Sequence, residues 1–118
     1  MKDREIFSGL TTTVPFVLRL DGRAFHHLSQ NAGYAKPYDL AFSRNMAKTA
    51  QMLLENSGLA PSFAYTFSDE INLYIMSPIF ECRVEKLVSV AAGFASSAFT
   101  LFSCTKNPIS FDCRVVPI

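Results

Sequence analysis

Two stretches of this chain set carboxylates directly beside apolar runs of β type. In Phe63-Ala-Tyr-Thr-Phe-Ser-Asp-Glu-Ile-Asn-Leu-Tyr-Ile75, the residues Ser68, Asp69 and Glu70 separate the runs 63–67 and 71–75. A hairpin with two acids at its tip is predicted. In Val14-Pro-Phe-Val-Leu-Arg-Leu-Asp-Gly22 an apolar strand runs straight into Asp21. Taken singly, either acid group reads as a solvated turn. Brought to one end of a sheet, Asp21, Asp69 and Glu70 make a set of hard oxygen donors suited to Mg²⁺, and Gly22 lets a metal or phosphate approach the backbone closely. Metal beside a phosphate chain is the apparatus of phosphoryl or nucleotidyl transfer.

Cations stand near two other signals. Arg83-x-x-Lys86 opens a predicted helix, where free N–H groups and basic side chains together bind phosphate. On composition alone the same pair is two solvated charges. Arg23, His26 and His27 follow Gly22 and add donors to that turn. The two histidines have no third soft ligand nearby in sequence, so zinc is not expected.

These groups need a scaffold. Alternation puts Val14, Phe16, Leu18 and Leu20 on one side of the first strand and Pro15, Val17, Arg19 and Asp21 on the other. A charged Arg19 inside a strand marks the second side as open to solvent or ligand. Pro37 bars helix before it, and Asp39 is a good N-cap for a helix running to about Asn56. Leu40, Met46, Ala50, Leu53 and Leu54 supply its apolar spacing, and Ser57-Gly58 its stop. A second helix spans 83–102, with Val84, Leu87, Val88, Ala91, Phe94, Ala95, Ala98, Leu101 and Phe102 at helical spacing. Residues 109–118 read as a last strand. The order βαββαβ is the α+β, ferredoxin-like arrangement, an antiparallel sheet with two helices on one face and nothing on the other. The first strand and the first strand of the hairpin are expected to be the central pair, which brings Asp21 near Asp69.

At 118 residues one domain with its own core is expected. A hydrophobic share of 49% with 18% charged residues excludes disorder. The net charge of +1 gives no strong pull on nucleic acid, so any contact with a phosphate backbone must come from a local patch. Cys82, Cys104 and Cys113 are odd in number and lack CxxC spacing. They read as reduced thiols of a cytoplasmic protein. The charged N-terminus has no signal-peptide core. Residues 87–102 are uncharged but fall short of the ~20 residues a bilayer needs, so a helix buried against the sheet is expected and a membrane is not.

Taken together and in order, Leu20-Asp-Gly-Arg-Ala-Phe25, Lys36-Pro-Tyr-Asp39, Ala64-Tyr-Thr-Phe-Ser-Asp-Glu-Ile71, Arg83-Val-Glu-Lys86 and Phe111-Asp-Cys-Arg-Val-Val-Pro117 resemble the tRNA-His guanylyltransferase family. The archaeal and bacterial guanylyltransferase-like proteins look most similar. The resemblance implies that residues 1–118 are a single catalytic domain built like a polymerase palm, adding nucleotides in the 3′-to-5′ direction. The tRNA 5′-phosphate is activated with ATP or GTP, and the 3′-hydroxyl of an incoming nucleoside triphosphate then attacks it. It implies two Mg²⁺ ions on Asp21 and Asp69, assisted by the Gly22 carbonyl and Glu70. The turn of Gly22, Arg23, Ala24, Phe25 and His26, with Ser68, would cradle the triphosphate. Ala35, Lys36 and Asp39 would lie by the guanine, and Arg19, Arg83 and Lys86 would contact phosphates of the activating nucleotide or tRNA end. The implied partners are the 5′ end of tRNA, nucleoside triphosphates and further copies of the chain in a homo-oligomer. Family members continue past the 111–117 strand into a second half carrying a His-x-Asn-type motif, which this sequence lacks. A GTP-binding or assembly domain without catalysis is therefore the alternative. A nucleotide cyclase ranks third, because the 36–39 and 83–86 motifs point to the tRNA family.

Overall fold

Phe16, Leu18 and Leu20 are wholly excluded from solvent, while Val17, Arg19 and Asp21 between them are not. The period of two thus sorts strand β1 (Phe16–Gly22) into an apolar and a polar face, as expected. The structure, a computed structural model, describes residues 2–23, 40–104 and 106–118. Within them β1 is followed by α1 (Leu40–Asn56), β2 (Phe63–Phe67), β3 (Glu70–Ile75), α2 (Val84–Ser103) and β4 (Phe111–Pro117), with 3-10 turns at Lys2–Arg4 and Phe80–Cys82.

The strands form one antiparallel sheet in the order β2-β3-β1-β4. This is the expected α+β architecture, with one correction. The central partner of β1 is β3, the second strand of the hairpin, and β2 lies at the edge. The reason is side-chain volume. On the helix-covered face β3 offers Ile71, Leu73 and Ile75, all fully buried, whereas β2 offers only Ala64 and Thr66. A central strand must fill the core on that face, and β2 has too little to fill it with.

One core joins the inner face of the sheet to both helices. From α1 it takes Met46, Ala50 and Leu53; Leu40, expected among them, is 77% exposed. Ser57 closes α1 by donating to the Leu53 carbonyl and accepting from the Leu59 amide. Gly58 at φ +79° then takes the left-handed step that ends the helix. From α2 come Leu87, Ala91, Ala95 and Phe99, the alanines letting the helix sit close to the sheet. Leu101, expected inward, faces solvent. Phe99 meets Phe42 and Phe111 edge to face, each at 5.9 Å. The Ser96 hydroxyl accepts from the Phe111 amide at 2.9 Å, and that of Thr100 from the Ile109 amide at 3.0 Å. These two bonds dock the start of β4 on α2. Residues 84–86 and 103 extend the uncharged 87–102 run to a helix of 20 residues, with a mean hydropathy of 1.3 over an 18-residue window, so by length and composition alone α2 could cross a membrane. Here one side of it packs on α1 and the sheet.

Candidate active site

Residues opposite one another across an antiparallel pair share a face, so the register describes the uncovered side of the sheet row by row. The row at the hairpin end is Phe67, Glu70, Asp21 and Asp112. The next is Tyr65, Asn72, Arg19 and Arg114, and the third Phe63, Tyr74, Val17 and Val116. Asp69 joins the first row from the two-residue turn between β2 and β3, where Ser68 takes a left-handed φ of +55°. Its carbonyl accepts from the Gly22 amide at 3.0 Å, locking the hairpin tip to the end of β1. The predicted acids Asp21, Asp69 and Glu70 are therefore together, and Asp112 makes a fourth. Glu70 is the first residue of β3 rather than part of the turn.

The second row supplies counter-charge. Arg114 Nη1 donates to Asp112 Oδ1 at 2.6 Å and to Asp21 Oδ2 at 3.2 Å. The hydrogen bond to Asp112 and that residue's charge hold the Arg114 pKa above its ordinary value. Arg19 Nε stands 3.5 Å from Asp21 Oδ2, yet this buried nitrogen makes no hydrogen bond. The contact is an ion pair without hydrogen-bond geometry. Glu70 accepts from Asn72 Nδ2 at 2.8 Å. Asp69 is paired with no cation among the described residues. Burial first, then the charges of Asp21, Glu70 and Asp112, raise its carboxyl pKa above the ordinary value, against a lowering by a backbone hydrogen bond.

Among the described residues no three carboxylates already converge as a metal cage. The donor set nevertheless fits Mg²⁺. It is all oxygen, and its crowding around Asp69 is the repulsion a divalent cation relieves. Mg²⁺ asks for only one or two carboxylates, the remaining ligands being water and substrate phosphate.

The other predicted residues divide into groups. The Gly22 and Arg23 amides are already used, by the Asp69 carbonyl and by the Ser110 carbonyl at 2.9 Å, so neither is free for a phosphate. Ser68 is exposed at the hairpin turn. Ala24, Phe25, His26, Ala35, Lys36 and Asp39 lie outside the described residues. Arg83 and Lys86 come together, but away from the acids, in a surface groove of about 180 Å³ shared with Glu5, Ser8, Glu85 and Ser89. Three successive left-handed residues, Phe80, Glu81 and Cys82 (φ 52°, 54° and 56°), deliver the chain into this corner at a cost of about 1–2 kcal/mol each. Lys86 Nζ lies 5.6 Å from the Phe80 ring centroid. Helix α2 reaches the Gly22–Phe111 end of the sheet only at Ser96, roughly 18 Å along its axis from Val84. Of the three predicted phosphate contacts, only Arg19 stands beside the carboxylates. Asp112, Arg114 and Asn72 were not singled out from the sequence. The alternation in β4 that sends Phe111, Cys113 and Val115 inward marks Asp112 and Arg114 as outward, so the signal was present.

Comparison with known proteins bears on what this arrangement belongs to. The Thg1 family model, tRNAHis guanylyltransferase, matches residues 1–118. The probable tRNA(His) guanylyltransferase of Mus musculus is 31% identical over 109 residues, covering 85% of this chain and 36% of the mouse protein. A bacterial tRNA(His) guanylyltransferase (Thg1)-like protein in complex with GTP is similar in structure, with a TM-score of 0.83 at 26% identity over 92% of this chain and 57% of that one. Its complex with ATP gives the same TM-score and identity and covers 53% of that chain. This chain thus spans about a third of the mouse relative and somewhat over half of the bacterial ones. With the family model matched along its whole length, the chain belongs to the tRNAHis guanylyltransferase family, Thg1.

Proposed function

We propose that this chain is the palm of a nucleotidyltransferase that adds guanosine, or other nucleotides, to the 5′ end of tRNA in the 3′-to-5′ direction. The observation that carries the reading is the cross-strand row Glu70, Asp21 and Asp112, with Asp69 beside it, on an uncovered sheet face. Family membership supports it, as do the GTP and ATP complexes of the bacterial relative.

Asp21 and Asp69 would hold Mg²⁺, with Glu70 and the Gly22 carbonyl assisting and Asp112 as the addition from the structure. When bound, the metal supplies charge neutralisation on the phosphates and activation of the attacking oxygen. Arg19 lies beside this row with a buried Nε that makes no hydrogen bond, a donor suited to a phosphate oxygen. Arg114 keeps Asp21 and Asp112 paired until phosphate and metal arrive. Asn72 orients Glu70 through its amide. Ala35, Lys36 and Asp39 are proposed for the guanine, and Arg83 and Lys86, in their separate groove, for phosphates of the activating nucleotide or tRNA.

The test is extension of a 5′-phosphorylated tRNA by this chain with ATP, GTP and Mg²⁺. Wild type is expected to lengthen the 5′ end, and Asp21→Ala or Asp69→Ala to abolish this while remaining folded. Wild-type rates in both variants would refute the site.

A further inference from the structure

Strand β2 carries an aromatic ring at every second position. Phe63, Tyr65 and Phe67 are 51%, 56% and 72% exposed. The register places all three on the face that bears Glu70, Asp21 and Asp112. None of them is among the core residues or the apolar residues packed against the core. Three large rings left in water side by side on an edge strand mark an interaction surface rather than packing.

Three observations identify the occupant. Residues two apart on a strand are set about 6.8 Å apart along the backbone, twice the ~3.4 Å rise of stacked bases, a spacing that suits flat bases between and upon the rings. Phe63 already lies nearly parallel to the Tyr74 ring, with centroids 4.9 Å apart and planes 17° from one another. The ladder is also continuous with the site. Phe67 stands opposite Glu70 in the carboxylate row, and Tyr65 lies in the row of Arg19 and Arg114. Aromatic faces beside cations, leading to a phosphate-handling row, are the chemistry of a single-stranded polynucleotide.

We infer that Phe63, Tyr65 and Phe67 form a stacking platform for unpaired nucleobases of an RNA strand whose end is held at the carboxylate row. The inference rests on the reading of that row as a nucleotidyl-transfer site. Stacking is tolerant of base identity, so the platform confers affinity without sequence preference. It also lets a protein of near-neutral net charge hold RNA with few ionic contacts.

The experiment is fluorescence anisotropy with a labelled, 5′-phosphorylated six-nucleotide single-stranded RNA. Wild type is compared with Tyr65→Leu/Phe67→Leu, which keeps apolar bulk on exposed positions but loses the rings. A loss of roughly tenfold per ring is expected. An abasic strand of equal length should bind wild type at least as weakly as the intact strand binds the variant, which keeps Phe63. Equal affinity of wild type and variant, or of abasic and intact strands, overturns the platform. So does a wild-type dimer that the variant dissociates without change in RNA affinity, because a second copy would then be the occupant. Mg²⁺–GTP calorimetry on the wild type reads the site separately: ring-dependent RNA binding without nucleotide binding leaves the platform standing and removes the transferase reading.

Discussion

Replacing Ser96 with alanine and Thr100 with valine should loosen the join that fixes the start of β4, and with it Asp112. The amides of Phe111 and Ile109 donate to these two hydroxyls. Both residues are almost wholly buried, at 5% and 6% exposure, so water is poorly placed to replace the lost acceptors. A hydrogen bond contributes about 1 kcal/mol net, and a buried amide left unpaired costs about 1–3 kcal/mol. Against this, alanine in place of serine returns about half a kcal/mol of helix propensity, and valine keeps the shape of threonine. Each substitution is expected to cost about 1–2 kcal/mol. The costs should nearly add, because the Thr100 hydroxyl donates to the Ser96 carbonyl rather than to its side chain. The double variant thus loses about 2–4 kcal/mol, read by urea unfolding with an unchanged m-value. Thr100→Ser should recover most of its share. A double variant within about 0.5 kcal/mol of wild type would show that the two bonds do not fix the join.

Three further outcomes follow from the site. Asp69 has a folded pKa raised above its ordinary 3.8, so the native state holds that proton more tightly than the unfolded state does, and stability falls as pH rises above about 3.8. Asp69→Asn should therefore be the more stable protein at neutral pH and converge with wild type below that window, measured by urea unfolding across pH. Arg114→Met removes the cation shared by Asp21 and Asp112 and should tighten Mn²⁺ binding several-fold in calorimetry; weaker binding would mean that Arg114 orients the carboxylates rather than competing for them. Burial pushes the Cys113 thiol up to about 12, so iodoacetamide at pH 8 should modify exposed Cys104 first and spare Cys113 until the chain is unfolded, as read by mass spectrometry.

Much of this fold was legible because two periods alternate cleanly along the chain. Phe16, Leu18 and Leu20 announce a strand with one buried face, and the alanines of α2 a helix pressed against a sheet. The placement of β2 was not legible, because aromatic residues signal β-structure without saying which side of it water reaches. Phe63, Tyr65 and Phe67 read as an apolar β run in the sequence and stand outside the core. Leu40 and Leu101 mislead in the same way: both fit a helical rhythm, but the angular width of the buried face is set by what packs there. Within the site, Asp21, Asp69 and Glu70 were readable from strand ends. The alternation in β4 marks Asp112 as outward, but setting it opposite Asp21 required the β1–β4 register, which is a tertiary fact. The separation of Arg83 and Lys86 from the acids likewise depends on the direction in which α2 crosses the sheet.

The central claim is that the carboxylate row is a metal–triphosphate site, and calorimetric titration of GTP with and without Mg²⁺ tests it most directly. Wild type should bind GTP in a Mg²⁺-dependent way, and Asp69→Ala, still folded, should lose that dependence. Mg²⁺-independent binding, or equal binding by the variant, would place the nucleotide elsewhere on the chain and contradict the account.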